Sequence, residues 1–211
     1  MMCFQLTFLE TLAARYPSVS LFTNTVKIRP DITNALIHLT GDRSSSAGGL
    51  TAEKALHSIL SEGIIRGSGN EGFIKGTKQA VCFTEMPLSF VKYYIKEGYS
   101  KHKYDYFGIA MSKSSAWRAG ARPVIYLPDD EAHWIPDDEK WRHVQFDYGN
   151  VDFTHEREWR LMGDLDLKHG EFGFYVIVPE RDHEANILKM NLPIQNKIIG
   201  FLHMNYLNDL I

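Results

Sequence analysis

The sequence predicts an α+β fold built on a largely antiparallel sheet, and three observations predict it. Short apolar runs that read as strands outnumber the helical stretches. The two kinds do not alternate as regular βαβ units. The 211 residues are 44% hydrophobic and 23% charged, ordinary proportions for a packed domain, and a chain of this length buries most of its apolar surface without disulfide staples. The expected organisation is an N-terminal helical extension over 1–32 followed by one domain over 33–211.

Taken in order, Leu6, Phe8, Leu9, Leu12 and Ala13 fall at near-helical spacing and predict a short amphipathic helix over 5–15. Pro30 and Asp31 break the chain before Ala35–Leu39, an apolar run that reads as a strand. A Ser- and Gly-rich loop runs from Gly41 to Gly49. Thr51 then caps a helix with Ala55, Leu56, Ile59 and Leu60 on one face, which Gly63 ends. A second Gly-rich loop spans 67–76. Ala80–Phe83 reads as a strand, and Pro87 opens a helix that lasts to about Glu97. Phe107–Met111 and Pro123–Leu127 read as strands, followed by an acidic loop from Asp129 to Asp138. Phe153–Leu161 alternates as a strand does, which sets Thr154, Glu156, Glu158 and Arg160 on one face and Trp159 and Leu161 on the other. Phe172–Val178 and Ile198–Leu202 complete the set.

Several function classes are excluded by what is missing. The two cysteines, Cys3 and Cys82, make neither a disulfide scaffold nor a CxxC pair. The nine histidines form no HExxH motif and no close Cys/His cluster, so no metal is expected. There is no GxSxG elbow, and Lys113-Ser114-Ser115 lacks the Gly-rich lead of a phosphate-binding loop. No apolar run approaches the roughly 20 residues of a membrane helix. The first residues carry Glu10 and no early basic region, unlike a secretory signal. A soluble, cytoplasmic protein without a membrane partner is the expectation.

Three segments carry candidate chemistry: Ile37-His38-Leu39-Thr40-Gly41, the run from Ala80 to Tyr94, and His155 to Leu161. Singly, each has an ordinary reading. His38 reads as a satisfied core histidine, Tyr93 as a core residue on a helix face, and the polar face from Thr154 to Arg160 as a solvated strand surface. In their order and spacing they resemble the ADP-ribosyltransferase superfamily, in its His–Tyr–Glu branch. His38 and Thr40 fit its first strand, Ile59-Leu60-Ser61-Glu62-Gly63-Ile64 its helix ending, Val81 and Phe83 its next strand, Tyr93 its helix tyrosine and Glu158 its late-strand glutamate. The segment from Phe107 to Leu127, with Glu156 to Arg160, is similar to the abortive-infection AbiGi-type proteins of bacteria, with the DarT toxins as more distant kin. The resemblance covers 33–162. Cys82 departs from it, standing where many relatives have an aromatic residue. The Glu156-x-Glu158 pair is similar to the arginine-modifying branch, whose first strand begins with Arg rather than His.

The resemblance implies two short, packed, mostly antiparallel sheets with flanking helices around a cleft for NAD, which is a substrate. Glu158 would stabilise the oxocarbenium character that develops when the nicotinamide–ribose bond breaks. Glu156 would meet the acceptor or pair with Arg160. Tyr93 would stack on nicotinamide. His38, supported by Thr40, would hold a ribose hydroxyl, and Gly41 and Phe83 complete the NAD-binding set. The acceptor would be a macromolecule, protein or nucleic acid, in a toxin–antitoxin or phage-defence setting with a possible antitoxin or toxin partner. A catalytically silent antitoxin or NAD/ADP-ribose sensor, and an NAD glycohydrolase, stay open on the same fold. Net charge is −3, unevenly spread: 75–122 holds nine Lys/Arg against Glu85, Glu97 and Asp105, whereas 129–166 holds twelve Asp/Glu against four Lys/Arg. The basic stretch suits the phosphates of NAD or of a nucleic acid. Two solvated surfaces that offset each other explain it as well.

Overall fold

The apolar run that begins at Ala35 forms the first strand of a computed structural model that describes residues 33–43, 49–70, 73–98 and 104–210. The expected extension over 1–32, its helix over 5–15 and the middle of the first Ser/Gly-rich loop lie outside the described residues. In chain order the elements are β1 (Ala35–Gly41), α1 (Ala52–Glu62), β2 (Ile64–Ile65), β3 (Ala80–Thr84), α2 (Leu88–Lys96), β4 (Tyr104–Ser112), α3 (Lys113–Ala119) and β5 (Arg122–Pro123). They continue with β6 (Ile125–Leu127), β7 (His143–Gln145), β8 (Glu158–Met162), β9 (Leu165–Asp166), β10 (Phe174–Val178), α4 (Arg181–Leu188) and β11 (Ile198–His203). Four helices and a mostly antiparallel sheet make the described residues an α+β fold. Among them, no helix is long and apolar enough to cross a membrane.

Local chemistry sets the helix ends. Thr51 Oγ1 accepts from the Lys54 N–H, and Gly63 ends α1 in the left-handed region at φ 66°. A side chain at Gly63 would also meet Lys168 Cγ at 2.6 Å. The helices α3 and α4 have no counterpart among the sequence expectations. Only seven and eight residues long, they leave little periodicity to read. The Ser112 hydroxyl caps α3 by accepting from Ser115 N–H at 3.1 Å.

The main sheet has seven strands in the order β11-β10-β4-β1-β3-β8-β5, antiparallel except between β10 and β11. Period-two alternation feeds both faces. Leu36, Ile109, Phe174 and Val176 enter one core with Leu56 and Leu60 of α1, while Ile37, Ala110 and Ile177 enter a second with Val91 and Tyr94 of α2. Burial on both faces explains why these strands read as continuous apolar runs.

Three expectations need correction. The two packed sheets form instead one seven-stranded sheet, with two small ladders, β2 with β9 and β6 with β7, beside it. What unites the two halves is narrow: β1 and β3 register through one pair, Ile37 with Thr84. The expected strand Pro123–Leu127 is split between two sheets. Pro123 has no N–H to extend the ladder, and Arg142 takes its carbonyl, with Nη2 at 3.2 Å. The expected strand Phe153–Leu161 is a strand only from Glu158 on. Thr154–Glu156 is a 3₁₀ turn, and Arg157 sits at φ 46°.

Candidate functional site

Beyond the Ile37–Thr84 pair, β1 and β3 part, and a cavity of about 950 Å³ is lined from both sides of that gap. On the β1 side, the His38 ring spans the gap where a ladder bond would stand: its Nδ1 lies 2.9 Å from the Cys82 carbonyl oxygen. A carbonyl only accepts, so Nδ1 carries the proton. Burial, partly countered by that bond, lowers the pKa of His38 below its usual 6.5. The ring is therefore neutral near pH 7, and Nε2 is left as an acceptor. Phe83 packs edge-on against it, with ring centroids 6.0 Å apart. Thr40 and Gly41 also line the cavity. The Thr40 hydroxyl is committed to the fold, within 2.8 Å of the Ala52 carbonyl and 3.1 Å of that of Phe107. The close approach of β4 here requires Gly108, where a Cβ would lie 2.3 Å from the His38 carbonyl oxygen.

The other wall belongs to β8 and the turn before it. Glu158 opens β8 opposite Thr84, and its carboxylate takes a two-pronged bond from Arg160, Nε to Oε1 at 2.7 Å and Nη2 to Oε2 at 3.3 Å. Arg160 is 3% exposed, and its Nη1 donates to the carbonyls of Trp141 and His143 at 2.7 and 3.2 Å. A buried charge is thereby paired, and both Nη1 protons are taken by backbone carbonyls. Trp159 and Leu161, on the other side of the strand, pack with the first core as expected.

The structure brings His38, Thr40, Gly41, Phe83, Glu156 and Glu158 to one cavity and leaves Tyr93 out. Tyr93 is 50% exposed beside Phe90, whereas Tyr94, at 5%, lines the cavity. The helical phase carries the signal for this correction, because Tyr94 lies three residues after the fully buried Val91. Glu156 also differs from expectation. It does not share a strand face with Glu158 and does not pair with Arg160; its Oε1 accepts from the Tyr94 hydroxyl at 2.8 Å. Compared with protein-family models, curated proteins and solved structures, the chain matches none.

The turn that carries Glu156 is held from outside. Thr84 Oγ1 donates to the Glu156 carbonyl at 2.5 Å, and the Glu85 N–H to that of Arg157 at 3.2 Å. The Tyr126 hydroxyl accepts from the Glu158 N–H at 2.9 Å and donates to the Phe153 carbonyl at 3.3 Å. Nothing in the local sequence of 153–158 marks these partners, so sequence reasoning misses them. Burial raises the pKa of Glu156 above the usual 4.5; the Tyr94 bond pulls it back, and the Glu158 charge adds to the rise. Burial and Glu156 push the Tyr94 phenol up. Burial and the nearby Glu158 do the same to the Cys82 thiol, which stays protonated and unreactive. Among the described residues no group of His, Cys, Asp and Glu is arranged to hold a metal.

Proposed function

We propose that this chain is an ADP-ribosyltransferase-like enzyme that cleaves NAD at the nicotinamide–ribose bond and passes ADP-ribose to a macromolecule, protein or nucleic acid. The observation that carries the reading is a juxtaposition across one gap: a clamped carboxylate, Glu158, and a neutral histidine, His38, line the same cavity from the two sides of the parted strands. The cavity of about 950 Å³ is at the upper end of the roughly 300–1,000 Å³ typical of ligand sites.

Each group has a task. Glu158 stabilises the positive charge that develops on the ribose as nicotinamide leaves, and Arg160 fixes its orientation in advance. His38 Nε2 accepts from a ribose hydroxyl. Tyr94, rather than Tyr93, meets the nicotinamide ring. The raised proton affinity of Glu156 suits the group that takes the acceptor's proton. The resemblance supports a toxin or phage-defence role in the cytoplasm, where NAD is available, with an antitoxin or toxin partner.

One observation favours a second reading. Arg160 already neutralises Glu158, and a neutralised carboxylate offers less to a developing cation. That suits a silent NAD or ADP-ribose sensor. Measuring nicotinamide release with and without added protein, DNA or RNA separates the readings. Release that depends on an acceptor supports transfer. Release without one makes the chain an NAD glycohydrolase. Binding of NAD without release leaves the sensor.

A further inference from the structure

Within the basic stretch, α3 and β5 carry a compact patch that the cavity does not use. Trp117 is 49% exposed. The guanidinium of Arg122 stands 3.7 Å from its ring centroid. Arg122 Nη1 donates to the carbonyls of Trp117 and Ala121 at 2.9 and 2.7 Å, so the cation is held in place over the indole. Arg118, on the same helix, is exposed, and its Nη2 reaches Ser115 Oγ at 3.4 Å. Among the described residues neither arginine has a carboxylate partner, unlike Lys113, which Glu85 neutralises at 2.5 Å. On the inner side, Trp159 meets Trp117 edge to face at 6.3 Å, and its own indole N–H is held by Glu85 at 2.7 Å.

We propose that this patch binds single-stranded nucleic acid. An exposed indole with a guanidinium stacked on it offers flat, weakly hydrated surfaces on which bases of any sequence stack. Arg118 and Arg122 supply charge for the backbone phosphates. An acidic protein segment would use the charges but not the flat stack. The patch also lies one strand from the candidate site. Arg122 is the cross-strand neighbour of Arg160, and the Val124 N–H donates to the Glu158 carbonyl at 3.1 Å. The proposal needs no turnover and stands apart from the transferase reading. Binding without nicotinamide release would leave the surface in place and remove the enzyme, and release without binding would do the reverse.

The test is fluorescence anisotropy of a labelled oligothymidylate titrated with the full chain across a salt series. Trp117→Ala is expected to weaken binding about tenfold, the loss of one stacked base. Arg118→Glu, a change at an exposed position, is expected to lower the slope of log affinity against log salt by about 0.7 for each phosphate that the variant no longer neutralises. Trp134→Ala is the control. Trp134 is 59% exposed but lies in the acidic segment 129–138, and its loss should leave binding unchanged. Should Trp117→Ala fail to fold, Arg118→Glu alone decides. The proposal is overturned by absence of binding at low salt, or by a parent-like slope in Arg118→Glu. It is equally overturned if polyglutamate binds with the same dependence on Trp117, which would assign the patch to an acidic protein.

Discussion

The two walls of the cavity are built by different means. The β1 wall is part of a strand that pairs with β4 from Ala35 to Leu39 and buries side chains on both faces, so apolar burial places His38: Leu36 and Ile37 are fixed on opposite faces, and the histidine follows in register. The turn 153–157 has no such support. Its position comes from hydrogen bonds sent by Thr84, Glu85 and Tyr126. Volume therefore decides the first wall, and a few directional bonds decide the second. The difference teaches where each wall is vulnerable.

The largest effect should come from truncating the core beneath β1. Leu36→Ala, at a fully buried position, is expected to cost about 2–5 kcal/mol, read as a lower urea midpoint at an unchanged slope. A cost as small as a surface change would mean that burial does not place this wall. A smaller effect is expected on the other side. Tyr126→Phe keeps the ring but removes the hydroxyl that joins Glu158 N–H to the Phe153 carbonyl. It should cost about 1–3 kcal/mol and speed hydrogen exchange at the Glu158 amide, while amides in β1 keep their protection. Equal loosening of both walls would erase the contrast.

The smallest effect is a pH dependence confined to the second wall. The folded chain holds the Glu156 proton more tightly than a free carboxyl does. The stability this contributes is complete below about 4.5 and is lost as pH rises through the higher folded value. Glu156→Gln stays neutral and keeps an oxygen for Tyr94, so it escapes that loss. Its melting temperature relative to the parent should rise between about pH 4 and pH 8. A flat or falling difference would contradict the burial of this carboxyl.

The same contrast explains what is legible in the sequence. Strands β1, β3, β4, β10 and β11 and the ends of α1 are readable because apolar runs and caps are local signals. His38 and Phe83 are placed through segments of that kind, and Glu158 through the part of Phe153–Leu161 that does form a strand. The turn at Glu156 reads as strand because Phe153–Leu161 alternates in polarity, and alternation reveals neither the bonds of Thr154 to Asp152 nor those of Tyr126, far off in sequence, to the two ends of the turn. Tyr93 differs from the structure for another reason. The family spacing chooses it, whereas the apolar phase of α2, with Val91 and Tyr94 on one face, picks its neighbour. The clamp of Arg160 by the Trp141 and His143 carbonyls depends on a segment with no pattern of its own.

The central claim is that Glu158, held ready by Arg160, acts on the bond between nicotinamide and ribose. Its most direct test compares nicotinamide release by the parent chain and by Glu158→Gln, with NAD binding measured on both as a check of the fold. The account predicts that Glu158→Gln binds NAD as the parent does while releasing nicotinamide roughly 10²–10³ times more slowly, the loss of one preorganised transition-state interaction. Equal release by the two proteins, or no release by the parent with any acceptor, would contradict it.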